Sequence, residues 1–559
     1  MPAYLVTSSD PINAEDSMSY PVFDEYVAAR KGIRHIAQHL HRMSEDSAEE
    51  PVELVIAVHT SHATQRGTKA HYSDIFRFAA QANPNIRTKR NCMFIGYIWP
   101  CEVPQTSPRA IYRSIKTLPT IFQWWIAVGG VIVFLSFCWQ AYQSTFFSAI
   151  GIINWFQTFL LLYALFILST VLALLGIYFR NSYRAENSGI RDLVELLRQI
   201  DRSMTDTIAD SLLPPDPGLS ERAAVNNKAK AYWNQPGKRI KLSFISHGIG
   251  SLIVLKAVHF LSDIFNYSPV SASTAASHHI GNIYELARII LVAPDIPALT
   301  LISEKSNFFN SSLRRFSESY LFCNEGDMVL RLFSTFANIV AFPSRNKSRG
   351  ARLGTVILNS EKYGVINLPS LHKGLPAQVP IEEAIAQSSE DALSRLCLSS
   401  LISNARKDNW SLAEMFIDKT FRLPTKVYAA DLCTYFDCTD YKDFKVVTGI
   451  NGSWDRSKTS ESILIRGGHK RLPKLLYSLR LYLDIAWGKR DGHGGYFFGE
   501  FTRELIYQLA FLGFEGYLKT LDSDPMTALS MLDSQCKDKG IKGFLSPFRY
   551  RIDVQKEVP

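Results

Sequence analysis

From Thr117 to Phe179 the chain carries no Asp, Glu, Lys, Arg or His. Helices in the core of a water-soluble protein rarely run so far without one charge, which makes two buried core helices the weaker account of this stretch. The run divides into two spans, about Ile121 to Ala141 and Ile150 to Phe179. Each reaches the roughly 20 apolar residues needed to cross a bilayer core. Trp124, Trp125, Trp139, Tyr142, Trp155 and Tyr178 lie near their ends, where amphipathic rings favour the membrane interface. Arg109, Arg113 and Lys116 precede the first span, Arg180 and Arg184 follow the second, and the loop Gln143 to Ala149 is uncharged. The pattern predicts a transmembrane hairpin with both flanks, and hence both termini, in the cytoplasm.

A hairpin returns the chain to the side it left, so one body can be assembled from both flanks. The expected division is 1–116 and 180–380 as two parts of one α/β body, 117–179 as the membrane insert, and 381–559 as a separate, mainly helical C-terminal domain. A length of 559 residues with 47% apolar content is ample for such a core. Eight scattered cysteines, none in a C-x-x-C pair and the nearest two at Cys433 and Cys438, fit neither a disulfide framework nor a zinc knuckle. The net charge of +9 comes without a nucleic-acid motif. It fits an anionic membrane surface or a protein partner at least as well as nucleic acid, and no nucleic-acid partner is expected. The first ten residues lack the basic and apolar regions of a signal peptide.

The body is read from its apolar runs. Pro51 to His59 and Asn91 to Trp99 are continuous strands separated by a helical stretch from about Ala70 to Ala82, and Ile190, Leu193, Val194, Leu197 and Ile200 form a helical stripe. Later strands are predicted at Arg288 to Asp295, Ser319 to Asp327 and near Tyr363 to Leu368. Continuous apolar strands alternating with helices call for a mostly parallel sheet covered on both faces. Between them, Leu242 to Val258 reads as a buried strand, a Gly-rich turn and a helix, with Ser246, His247, Gly248, Ile249 and Gly250 at the turn.

In that arrangement the chain resembles the α/β-hydrolase superfamily, in particular bacterial lipase- and esterase-like members, over about residues 50 to 375. The resemblance rests on the strand ending in Val58-His59, the one ending in Trp99-Pro100, the Gly-rich turn, and the strand ending in Ala293-Pro294-Asp295. It implies a nucleophile on a sharp strand-to-helix turn, followed in chain order by an acid and a histidine, with backbone N–H groups forming an oxyanion hole. Carried over residue by residue, the nucleophile position falls on Gly248, the acid on Asp327 and the histidine on His372. The oxyanion loops fall on His59, Thr60 and Ile249, with Thr60 standing where the family prefers Gly.

A hydrogen atom in place of the attacking hydroxyl removes the acyl-enzyme route, which favours a non-catalytic binding or scaffolding protein. The alternative is a membrane-associated serine esterase or lipase with a displaced nucleophile, Ser246 or Ser251. The two readings separate on whether a hydroxyl lies within about 3.2 Å of a His ring nitrogen. His247 reads as a packing residue and Asp295 as an acid that fixes its loop; His59, His62 and His71 are spaced too loosely for a metal site. No cofactor and no metal are expected. Polar segments at Ser271 to His279 and Pro343 to Arg352, the second basic enough to touch lipid headgroups, punctuate the body. Beyond Ile381, Ser400 to Phe421 and Leu472 to Trp487 read as helices, with a basic run from Arg466 to Arg490 and a Gly-rich turn from Gly488 to Gly495.

Overall fold

The computed structural model describes residues 1–8, 29–46, 51–60, 65–79, 83–87, 91–101, 176–212, 219–235, 237–265, 278–298, 308–327, 329–334, 352–372, 392–398, 410–411, 429–443, 446–447, 454–455 and 492–556, with isolated positions between 124 and 162. Two units form: one from Met1–Cys101 with Ser182–Pro559, the other from Glu102–Asn181.

The main sheet of the first unit has ten strands among the described residues: β1 (Ala3–Thr7), β2 (Glu53–Val58), β3 (Cys92–Ile98), β4 (Ile240–His247), β5 (His279–Ile280), β6 (Tyr284–Val292), β7 (Glu318–Cys323), β8 (Gly364–Val365), β9 (Cys433–Asp437) and β10 (Lys542–Phe544). Their order is β1-β3-β2-β4-β6-β7-β9-β10-β8, with β5 paired antiparallel on β6. Every pairing from β1 to β9 along this path is parallel; β10 lies antiparallel to β9 and parallel to β8. The fold is therefore α/β with a mixed, mostly parallel sheet.

Helices cover both faces: α1 (Ala29–Asp46), α2 (Gln65–Arg77), the short α3 (Pro84–Arg87), α4 (Ile190–Leu212), α5 (Leu219–Trp233), α6 (Gly250–Phe265), α7 (Phe308–Arg314), the short α8 (Leu368–His372), α9 (Glu500–Leu521) and α10 (Pro525–Lys539). The alternation of side chains along β2 shows the two layers. Leu54, Ile56 and Val58 join a core shared with residues of α1, α4, α5 and α6, while Val55 and Ala57 join one shared with α2, α9 and α10. All six residues of β2 and all seven of β3 are buried, as strands covered on both faces must be.

One expectation changes. The segment after Ile381 is not a separate helical domain: its strands β9 and β10 extend the main sheet beyond β7, and α9 covers one face. These strands, Cys-Thr-Tyr-Phe-Asp and Lys-Gly-Phe, are too short to announce themselves by periodicity. Most of the predicted membrane hairpin, most of the helix expected at 400–421, the helix at 472–487, the basic run 466–490, most of the two polar segments and His62 lie outside the described residues; within 400–421 the described Trp410 and Ser411 form a short strand rather than a helix. No helix among the described residues is long and apolar enough to cross a membrane. Within the second unit, Trp124, Val128, Val131, Leu135, Trp139 and Tyr142 are helical and exposed.

Candidate functional site

The site lies where β2, β4 and β7 end on the same edge of the sheet. β4 runs out at His247 and the chain turns through Gly248 at φ +57° into α6. Gly248 N–H donates to Val292 O at 3.0 Å, and its carbonyl accepts from Ser251 N at 3.2 Å and Asp295 N at 3.0 Å, so the turn is fixed on both sides. Both glycines are sterically required. A Cβ on Gly250 would come within 2.6 Å of Val58 O, and one on Gly248 within 2.4 Å of Thr60 Oγ1 and 3.0 Å of His493 Nε2.

His493 is the residue that sequence reasoning missed. Its Nδ1–H donates to Asp327 Oδ2 at 2.7 Å, and its Nε2 accepts from the hydroxyl of Thr60 at 3.0 Å. A carboxylate only accepts, so it fixes the tautomer and leaves Nε2 with a lone pair facing Thr60. Asp327 is fully buried just beyond β7, and its other oxygen accepts from Leu330 N at 3.1 Å. The loop carrying His493 is pinned twice: Asn324 Nδ2 donates to Gly492 O at 2.9 Å, and His247 Nε2–H donates to His493 O at 2.9 Å. The imidazoles of His247 and His493 stack with centroids 4.6 Å apart, and Phe497 meets His247 edge-on.

Thr60 is held as firmly. Its carbonyl accepts from His59 Nδ1 at 2.7 Å; His59 stacks on Trp99 at 5.4 Å, and the Trp99 indole donates to His59 O at 2.9 Å. Burial, outweighing the bonds to Thr60 and Trp99, pushes the His59 imidazole down to about 4. Burial and then the neighbouring His59 push His71 down to about 4 as well. His247 is held well below the usual range, first by burial and then by His493. The wall of the site is thus built of neutral imidazoles.

The structure brings Gly248, Ile249, Thr60 and Asp327 together, but not His372. That histidine ends α8 and its Nδ1 faces the Tyr550 hydroxyl at 3.1 Å. Nor do the serines reach an imidazole: the hydroxyls of Ser246 and Ser251 lie 3.1 Å from each other, Ser246 also bonds Ile290 O at 3.1 Å, and both residues are fully buried. Asp295 holds its loop through Arg352 Nε at 3.0 Å and the Ser334 hydroxyl at 3.0 Å. Among the described residues no cluster of His, Cys, Asp or Glu is arranged to hold a metal ion.

Chemically, the arrangement is a hydroxyl, an imidazole and a buried carboxylate in series. The imidazole can take a proton from a hydroxyl while the carboxylate stabilises the resulting positive charge. Ile249 and Gly250 stand at the start of the 16-residue α6, where helical N–H groups have no carbonyl within the helix and favour negative charge. Compared with known protein families, curated proteins and solved structures, the chain matches none.

Proposed function

We propose that this chain is a membrane-held hydrolase-like enzyme in which His493, oriented by Asp327, acts as general base in the cleavage of an ester, with membrane lipid as the substrate class. The observation that carries this reading is the 2.7 Å pair of His493 and Asp327, set at the Gly248 turn with Nε2 3.0 Å from the point a Cβ there would occupy. In hydrolases with the α/β-hydrolase arrangement, that is where the base meets its nucleophile. Attachment to the bilayer rests on the charge-free run from Thr117 to Phe179 and the exposed helical row from Trp124 to Tyr142. With the basic flanks on the cytoplasmic side, the body faces the cytoplasm and substrate arrives from the bilayer.

The test is ester hydrolysis by the full chain in lipid vesicles, with p-nitrophenyl acyl esters and phospholipid as substrates. H493A abolishes turnover, and D327N lowers it by about 10³- to 10⁴-fold, because the amide no longer imposes the tautomer in which Nε2 is unprotonated and accepts from Thr60. Equal rates in wild type and H493A sink the enzyme reading. A non-catalytic binding protein is the second reading, favoured by the absence of a side chain at Gly248.

A further inference from the structure

We propose that the hydroxyl of Thr60 has taken over the part of nucleophile from the Gly248 turn. The inference rests on the general-base reading of His493 and adds what that base acts upon.

Two independent pieces of geometry support it. Thr60 Oγ1 is bonded to His493 Nε2 at 3.0 Å, the atom whose lone pair the Asp327 bond leaves available. The same oxygen lies 2.4 Å from where a Cβ on Gly248 would stand. The hydroxyl from the end of β2 therefore fills the space that a side chain at the turn would need. Glycine at 248 and a hydroxyl at 60 are complementary: a serine at 248 would collide with Thr60, and a glycine at 60 would leave the imidazole without a hydroxyl. Other hydroxyls near the turn do not compete, because Ser246 and Ser251 are turned toward each other and the β6 backbone. The β-branch of Thr60 restricts χ1, and the His59 and Trp99 bonds hold its backbone, so the oxygen is presented in one orientation.

The chemistry closes without a cofactor. Thr60 Oγ1 attacks the ester carbonyl carbon as its proton passes to His493 Nε2, and charge builds on the carbonyl oxygen near the start of α6. The carbon–alkoxy bond breaks, the leaving alcohol takes the proton from Nε2, and an acyl-threonine remains. Water then attacks the acyl carbon, gives one proton to Nε2 and releases the carboxylic acid, while that proton returns to Oγ1. Ester and water become acid and alcohol.

The experiment is labelling of the full chain in vesicles with a fluorophosphonate probe, followed by mass mapping of the modified peptide, beside p-nitrophenyl ester hydrolysis. The expected result is one label on Thr60, lost in T60V and H493A, and retained or increased several-fold in T60S, whose primary hydroxyl is less hindered. Matching thermal unfolding of T60V and wild type guards against simple misfolding. Hydrolysis that survives T60V but not H493A means that the imidazole activates water directly; it overturns the Thr60 assignment and leaves the base assignment standing. The G248S/T60G double variant supplies the other control, since it puts a hydroxyl at the turn beside His493 and removes the clash. Label at position 248 of that variant with none on wild type overturns Thr60 alone. Label on neither protein overturns both assignments.

Discussion

Asp327 was legible in the sequence by position: an acid just past a buried strand, before a turn, is where a sheet delivers a carboxylate to its edge. His493 gives no comparable signal. It sits in Gly492-His493-Gly494-Gly495, with no periodicity around it, and it meets Asp327 across 166 residues of sequence. The expected histidine, His372, had the right chain order and strand-end setting, but a histidine's position in sequence says nothing about where its loop is pinned; Asn324 and His247 decide that for His493. Thr60 was legible only as a departure from glycine, and its bond to His493 is a fact of three dimensions. The same imidazoles make a prediction about pH. His59 and His71 are held at about 4 in the folded chain, against about 6.5 when unfolded. Between those values the unfolded chain binds protons that the folded one refuses, so stability is complete above about pH 6.5 and is lost as pH falls toward 4. His71 keeps part of its surface in water and contributes less than His59. Unfolding free energies from urea titrations at pH 7.5, 6 and 5 should fall steadily, by about a few kcal/mol in total at the acid end. A flat profile would contradict the buried neutral state of these rings.

Among elements, the parallel core was readable because its strands are continuous apolar runs, and β2, β3, β4, β6 and β7 all lie within or overlapping the expected segments. β1, β9 and β10 were not: five, five and three residues give a period-two pattern too little room. The C-terminal helix α9 carries its own explanation of how it joins the sheet. It breaks at Gly513, φ +73°, where a Cβ would lie 2.7 Å from Arg288 Nε and 2.9 Å from Glu318 Oε1. At the break, Arg288 Nη1 donates to Ala510 O at 3.2 Å and Phe514 N–H donates to Glu318 at 3.1 Å, so the backbone groups released by the kink are satisfied from the sheet. Arg288 also binds both oxygens of Glu53, at 3.1 and 3.2 Å. Replacing Arg288 removes the guanidinium that binds both oxygens of the buried Glu53, while Glu318 keeps Arg549 at 3.5 Å. R288M should therefore cost about 3–5 kcal/mol in urea unfolding, and R288M/E53Q should recover part of that loss. If the double variant is no more stable than R288M, the pair is not the source of the cost.

For the molecule as a whole, the charge-free run was the plainest feature of the sequence, and it marks where a second unit, Glu102–Asn181, interrupts the first. The Tyr97 hydroxyl from β3 donates to Gly189 O at 2.8 Å just before α4, so chain on the two sides of the insertion is joined within one body. A flexible linker of about ten Gly and Ser residues reaches roughly 15–20 Å end to end and should suffice in place of residues 102–181. Two outcomes follow from the proposed membrane attachment and from the division into two units. The full chain should stay with membranes through alkaline carbonate extraction, as a hairpin of two spans does, while a merely surface-bound protein is released. The excised chain should be recovered without detergent, unfold at a temperature close to that of the full chain, and still take the fluorophosphonate label if His493 and Thr60 work as proposed. Release of the full chain by carbonate would remove the membrane reading and with it the argument for a lipid substrate. Failure of the excised chain to fold would mean that the insertion contributes to the body. Because the residues of the site all belong to the first unit, their geometry should survive the excision, and loss of lipid hydrolysis with retained cleavage of a soluble ester would show that the proposed membrane attachment delivers substrate rather than building the site.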